Sequence, residues 1–219
     1  MAVKSARTER AAQTREVIMA AAVRLFAEHG LAEVSSRQIS EAAGQGNNTA
    51  VGYHFGTRND LVRAIIRKHA EATERIRQRM LGEIGESNDV RGWVSCLVRP
   101  TSEHLATLGS PSWYARFAVQ VMSDPVLRVI IEDEALTRAP LRQTLDGLGR
   151  CLPELPAHAR AERAAMMRHL IMHTYAERER ALAAGTTPLQ PAWEDTALAL
   201  TDAIVGLLLA PVTPRPDRP

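Results

Sequence analysis

Polar side chains that can recognise nucleic-acid bases are concentrated between residues 36 and 58. Arg37 has the length and the forked donor group to read a guanine edge. Asn47 and Asn48 each offer the donor and acceptor pair that matches adenine, and Thr49 follows them. Ser36, at the start of a predicted helix, is suited to bind a phosphate. These residue types are compatible with a surface that reads double-stranded DNA, although an arginine such as Arg37 is more often simply solvated unless it stands in a DNA-binding motif.

Three predicted helices would position these side chains. The first carries an apolar stripe at spacings of three and four and ends at Gly30. Ser35 caps a second, short helix that ends at Gly44, while Glu41 lies too late in the sequence to complete a capping box. The third runs from about Thr49 to His54. Two short helices joined by a glycine-containing turn predict a helix-turn-helix at about residues 35–54.

A longer ordered string of residues strengthens this prediction. It covers about residues 10–65 and reads Thr14-Arg15-x-x-Ile18-x-x-Ala21-x-x-x-Leu25-Phe26-x-x-x-Gly30, then Ser35-Ser36-Arg37-x-Ile39-Ser40-x-Ala42-Ala43-Gly44, then Tyr53-His54-Phe55-Gly56-Thr57-Arg58-x-Asp60-Leu61. This string resembles the N-terminal domain of the tetracycline-repressor (TetR) family. The resemblance implies a transcription regulator, and most simply a repressor released by a small molecule. A ligand-independent or activating regulator of the same fold is the alternative.

The resemblance also implies which positions contact DNA. His54 and Arg58 match family positions that contact phosphates. The complete predicted set is Ser36, Arg37, Gln45, Asn47, Asn48, Thr49, Tyr53, His54 and Arg58. The stretch from Gly44 to Phe55 is one residue longer than the common family pattern. Tyr53 therefore has two open placements, one in the core and one facing DNA.

The expected fold is all-α, with about nine helices. After Thr57 a long amphipathic helix continues to about residue 83, and further helices are predicted near 89–108, 111–122, 124–150, 157–184 and 191–210. Pro140 falls inside one of these segments and predicts a break or kink there. The predicted organisation is a disordered basic arm (1–9), a DNA-binding domain (10–56), a ligand-binding and dimerisation domain (57–210) and a disordered tail (211–219).

The body has features that are compatible with an effector pocket and a dimer interface, both implied by the resemblance. Broad apolar faces on 157–184 and 191–210 predict pairing with a second copy, with burial inside one chain as the alternative. Aromatic, methionine and histidine side chains at helical spacing are candidate pocket residues. They are Trp113, Phe117, Met122, Met166, His169, Leu170 and His173.

Other chemistry is poorly supported by the sequence. His169 and His173 lie four residues apart, but no glutamate completes a metalloprotease pattern, so no metal or other cofactor is expected. Cys96 and Cys151 form no paired-cysteine motif. A helical enzyme remains the alternative from a different class. The sequence contains no nucleophile-elbow or phosphate-loop motif that would support this alternative.

Charge and hydropathy fit a DNA-binding regulator. The chain has 27 basic (Lys and Arg) and 25 acidic (Asp and Glu) residues. Residues 1–68 contain ten of the basic and six of the acidic residues, and residues 69–219 contain seventeen and nineteen. A basic N-terminal part is what phosphate contact requires. No apolar run of about 18 residues and no signal sequence is evident, so the expected location is the cytoplasm, without a membrane partner.

Overall fold

The computed structural model describes residues 2–47, 49–185 and 192–213, and every regular element within these ranges is a helix. The all-α prediction is therefore confirmed. In chain order the helices are α1 (Ala2–His29), α2 (Ser36–Ala42), α3 (Ala50–Phe55), α4 (Arg58–Ile84), α5 (Val90–Thr107), α6 (Tyr114–Ser123), α7 (Pro125–Leu136), α8 (Ala139–Cys151), α9 (Ala157–Ala184) and α10 (Trp193–Leu209). No helix in the described ranges combines the length and hydropathy that a membrane crossing needs.

The first three helices and the start of α4 pack around one apolar core. Ile18, Phe26, Ile39 and Leu61 are all 0% exposed in this core. Phe55, also predicted to be buried here, packs against it while staying partly exposed. The second and third helices are too short to be stable alone, so this shared core holds them in place.

The turn chemistry around α2 follows the sequence with one correction. Gly44 has φ of +64°, a left-handed conformation that favours glycine, as predicted for the turn after α2. Ser35 is the N-cap, but the expectation of no capping box was wrong. Gln38, at the third position of α2, completes the capping box. The Ser35 N–H donates to Gln38 Oε1 at 2.8 Å, and Ser35 Oγ accepts from the Gln38 N–H at 3.2 Å.

Residues 2–9 are helical, so the predicted disordered arm was wrong over these residues. Ala, Lys, Arg and Glu dominate this stretch and neither Gly nor Pro interrupts it, so nothing in its composition opposes continuation of α1. Of the predicted disordered tail, 211–213 form no helix, and 214–219 lie outside the described residues.

A break occurs near Pro140, as predicted, and it raises the helix number in the described ranges to ten. Helix α7 ends at Leu136 and α8 begins at Ala139. Pro140 lies in the first turn of α8, where its missing N–H sacrifices no hydrogen bond.

Helix α5 is the centre of the body and packs against α4, α8 and α10. A second core forms here, and its buried side chains include Trp93 and Leu105 of α5, Tyr175 of α9 and Ile204 of α10. Pro100 lies inside α5. Because proline has no N–H, the Cys96 carbonyl loses its helical donor, and Arg77 Nε of α4 donates to it at 3.0 Å.

Candidate nucleic-acid interface and effector cavity

Helix α2 presents one polar side to solvent and buries the other. Ile39 and Ser40 point into the core, whereas Arg37 and Glu41 are exposed. Arg37 Nε donates to Glu41 Oε1 at 2.8 Å, and the two side chains are 72% and 49% exposed. This pair holds the Arg37 guanidinium at the surface, where a base edge could replace the glutamate.

The turn between α2 and α3 is organised by its own side chains. Gln45 is half-buried, and its Nε2 donates to the Ala43 carbonyl at 3.1 Å. Asn47 Oδ1 accepts from both the N–H and the hydroxyl of Thr49, at 2.9 and 2.7 Å. Asn47 and Thr49 therefore stabilise the entry to α3. The predicted contact Asn48 lies outside the described residues.

Helix α3 has a distinct solvent side. Thr49, Gly52 and Tyr53 are exposed and share one side of the helix, while Ala50 and Val51 are buried. Tyr53 is 77% exposed, which excludes the core placement, and its contact with DNA stays a prediction. Its ring lies on the surface, against the edge of the His54 ring at 5.0 Å between centroids.

The remaining predicted DNA contacts are more enclosed. Ser36, His54 and Arg58 are half-buried. The Arg58 guanidinium lies 5.1 Å from the centre of the Phe26 ring, a cation–π contact inside the domain. A phosphate contact by Arg58 stays a prediction.

Arg15 is a positioning residue that the sequence did not identify, although it stands in the motif string. Its Nη1 donates to the His54 carbonyl, and its guanidinium lies 4.1 Å from the centre of the Phe55 ring. The His54 carbonyl is in the last turn of α3, where a cation offsets the negative end of the helix dipole. Arg15 thereby ties α3 to α1.

This arrangement matches a known family. Residues 18–65 match the model of the bacterial regulatory proteins of the tetR family. The N-terminal domain belongs to the TetR family. The chain thus carries the DNA-binding domain of a transcription regulator, with a larger helical region after it.

No curated protein matches the chain. Among solved structures, the chain is similar to that of the TetR-like transcriptional regulator LfrR from Mycobacterium smegmatis in complex with proflavine. The identity is 23% over 93% of this chain and 99% of that chain, with a TM-score of 0.46.

Behind the TetR-type domain, the body contains a cavity of about 310 Å³ among α4 to α9. Most of its wall is apolar, with side chains such as Ile66, Leu105, Met122 and Ile171. Its size lies at the lower end of the range of small-molecule sites.

Only one of the predicted pocket residues, Met122, lines this cavity. Phe117 is fully buried in the first core and stacks on Phe26 at 5.9 Å. Trp113 lies in a separate cleft beside α1. The other four predicted residues are exposed on α9, and they are Met166, His169, Leu170 and His173. His169 and His173 line a separate small cleft together with Met122. Helical spacing alone did not reveal which side of α9 the fold covers.

Three aromatic side chains form a cluster beside the cavity. The rings of His69 and Tyr114 stack at 3.7 Å between centroids, and His69 Nδ1 lies 2.7 Å from His104 Nε2. Burial lowers the pKa of His69 to about 3, and the neighbouring His104 and Lys68 act in the same direction. Burial also lowers the pKa of His104. Both rings are therefore neutral at physiological pH, and one donates to the other.

Helix α6 connects the cavity to the TetR-type domain. Tyr114 and Met122 of α6 line the cavity. On its other side Phe117 stacks on Phe26 of α1, and just before α6 Trp113 Nε1 donates to Glu28 Oε1 of α1 at 3.1 Å. A change in the position of α6 would therefore be transmitted directly to α1.

Proposed function

We propose that this protein is a homodimeric transcriptional repressor that binds a palindromic operator and is released by a small molecule in the body cavity. The observation that carries the proposal is the position of α6, which is shared between the cavity wall and the core of the TetR-type domain. A ligand that favours one position of α6 would shift the population of dimers toward one spacing of the two DNA-reading units.

The DNA contact is proposed for the solvent sides of α2 and α3. Arg37, Thr49 and Tyr53 are exposed there, and Asn47 stands at the entry to α3. Side chains at the start of the second helix of a helix-turn-helix meet base edges in the major groove. We assign base reading to Arg37 and Asn47, and phosphate contacts to Ser36, His54 and Arg58.

The homodimer is proposed for the outer faces of α9 and α10. Leu198 and Leu209 of α10 are 52% and 48% exposed, and Met166 and Leu170 of α9 are 50% and 38% exposed. Four large apolar side chains exposed on two adjacent helices are typical of a surface that a second copy covers.

The test is selection of genomic DNA fragments by the purified protein, followed by binding measurements on the selected site. We expect a site with two related half-sites about one or more helical turns apart. In this assay Arg37→Ala should weaken binding by about 1–3 kcal/mol and relax the preference at one base pair. The matched control is Arg79→Ala in α4, which removes the same charge from a surface pair with Glu103 and should leave binding unchanged.

The sign of regulation requires a second measurement. A reporter gene placed behind the selected site should be silenced by the protein and restored by a ligand of the cavity. Activation of the reporter, or silencing that no cavity ligand relieves, would contradict repression with release. If no sequence is enriched in the selection, the DNA-binding proposal itself is wrong.

A further inference from the structure

The ionisable side chains in the cavity wall are unequally paired. Five charged side chains line it: Glu74, Arg77, Glu132, Arg138 and Arg168. Three are basic and two are acidic, so the wall carries one positive charge in excess. Which arginine supplies this excess follows from the contacts of each group.

The first pair is satisfied within the protein. Arg77 and Glu74 form an ion pair, and both side chains are buried or nearly so, at 6% and 14% exposure. Arg77 Nε also donates to the Cys96 carbonyl, and Glu74 Oε2 accepts from the Leu141 N–H at 3.1 Å. These groups are already engaged and offer little to a ligand.

The second pair is compensated in charge. Arg168 Nη1 lies 3.3 Å from Glu132 Oε1, although the two atoms are not aligned for a hydrogen bond. The negative charge of Glu132 is therefore offset by an adjacent cation, and a ligand cation would have to compete with Arg168 for it.

Arg138 is the remaining cation. Its side chain has no hydrogen-bond or ion-pair partner among the described residues, and it is half-buried at the break between α7 and α8. The positive charge of Arg138 acts to lower the pKa of both Tyr114 and Arg77. Burial lowers the pKa of Arg77 to about 10 and the charge of Arg138 acts in the same direction. A half-buried arginine beside a second arginine gains from a bound anion.

Tyr114 adds a hydrogen-bond donor to the same wall. Its hydroxyl has no partner within the part of the chain that the structure describes, while its ring is held by the stack on His69. Burial raises the pKa of Tyr114, so the hydroxyl keeps its proton and can donate. Thr73, Thr101 and Tyr175 add three further hydroxyls, and the remaining uncharged side chains of the wall are apolar.

We infer that the cavity binds an amphipathic organic carboxylate, with its anionic group on Arg138, its second hydrogen bond from Tyr114, and its apolar body against Ile66, Leu105 and Ile171. This inference rests on the proposed effector function and names the chemical class that the site takes. An arginine provides a forked pair of donors that matches a carboxylate.

The experiment compares ligands that share one apolar body and differ in charge. Calorimetric titration of the DNA-free protein uses 2-naphthoate, 2-naphthylmethanol and 2-naphthylmethylammonium, with decanoate as a carboxylate of different shape. We expect at least one carboxylate to bind, and to bind more tightly than its neutral and cationic counterparts. Tighter binding of the ammonium compound, or no binding of either carboxylate, would overturn the inference.

Two variants then locate the anion. Arg138→Gln should weaken carboxylate binding by about tenfold or more while leaving binding of the neutral alcohol unchanged. Arg142→Gln removes the same charge from an exposed position of α8 that does not line the cavity, and it should leave both affinities unchanged. Equal effects of the two substitutions would contradict a specific role for Arg138.

Release of DNA is measured separately, so the proposed effector function and the inferred carboxylate site can fail independently. If the carboxylate binds in the DNA-free protein but does not release the selected DNA site, the inference stands and the proposed effector role is wrong. If only the ammonium compound binds and releases DNA, the proposed function stands and the inference is wrong.

Discussion

The carboxylate of Glu179 in α9 lies at the first turn of α6, where its Oε2 accepts from the N–H of Arg116 at 2.9 Å. Its Oε1 accepts from the Ser112 hydroxyl at 2.8 Å and from the Ala115 N–H at 3.2 Å. Glu179 is only 1% exposed, and the Arg116 guanidinium lies 3.3 Å from it. A buried anion thus caps the positive end of α6 and fixes it to α9, which carries part of the proposed dimer surface.

Removing this carboxylate should strongly destabilise the protein. Glu179→Ala leaves two N–H groups and a hydroxyl without an acceptor and leaves Arg116 uncompensated, so we expect the free energy of unfolding to fall by about 3–5 kcal/mol. Glu177→Ala is the matched control on the same helix, because Glu177 is 72% exposed and pairs only with Arg180 at the surface. Its effect should be about 1 kcal/mol or less. Chemical denaturation measures both, and similar losses would contradict the capping role.

Two glycines of α8 should respond to alanine with opposite signs. A Cβ added to Gly147 would lie 2.5 Å from atoms of the buried Trp93 ring, whereas a Cβ at Gly149 would meet nothing within 4 Å. We expect Gly147→Ala to lower the free energy of unfolding by about 1–3 kcal/mol through overpacking. Gly149→Ala should raise it by about 0.5–1 kcal/mol, because alanine favours the helix. Thermal and chemical unfolding of both variants check this, and a stabilised Gly147→Ala variant would show that Trp93 can move.

The buried histidine pair predicts a loss of stability in mild acid. Folding lowers the pKa of His69 from an ordinary value of 6.5 to about 3, so between these values the unfolded chain binds more protons than the folded one. The stability that the folded chain gains by keeping His69 neutral is fully present above pH 6.5 and is lost as the pH falls toward 3. For one proton the free energy of unfolding changes by about 1.4 kcal/mol per pH unit. Denaturation at pH 7, 6 and 5 measures the slope above the range where carboxylates titrate.

The assignment of this slope needs two variants. His69→Gln removes a titrating group and keeps a polar partner for His104, so its slope between pH 6.5 and 5 should be smaller than that of the parent protein. His158→Gln changes an exposed histidine of α9 and should retain the parental slope. An unchanged slope in His69→Gln would mean that the acid sensitivity arises elsewhere.

The sequence predicted the local features well because they depend on residues close in the chain. The Ser35 cap, the left-handed Gly44 and the break at Pro140 each follow from the conformational preference of one residue. The helix-turn-helix and its polar side chains followed from short spacings. The exposed position of Tyr53 did not, because the extra residue in the turn left two registers of α3 open.

The cavity was predicted poorly because its wall is assembled from six helices. Met122 was found from helical spacing, but Arg138 and Tyr175 come together with it only through the packing of α5 to α9. One local feature of the sequence does point to the cavity. Glu74 and Arg77, three residues apart, interrupt the apolar side of α4, and charged pairs on a buried face need partners from other helices.

Arg15 should control the order of α3. Arg15→Met keeps a long apolar side chain near Phe55 but removes the donor to the His54 carbonyl. We expect faster amide hydrogen exchange in residues 50–55 and a loss of about 1–2 kcal/mol in the free energy of unfolding. Arg24→Met removes the same charge from an exposed position of α1 and should change neither quantity. If exchange in α3 is equal in the two variants, α3 is held by the core alone.

The outer faces of α9 and α10 can be tested with two equally exposed side chains. Leu198 of α10 and Val129 of α7 are both 52% exposed, so a charge at either should affect the folding of one chain to a similar, small extent. Only Leu198 lies on the proposed dimer surface, where a buried and unpaired carboxylate is costly. Leu198→Asp should therefore shift the protein from dimer to monomer in sedimentation velocity and abolish tight binding to a two-half-site operator. Val129→Asp should leave both unchanged. Dissociation by Val129→Asp in place of Leu198→Asp would move the interface to α7, and a monomeric parent protein would exclude the homodimer.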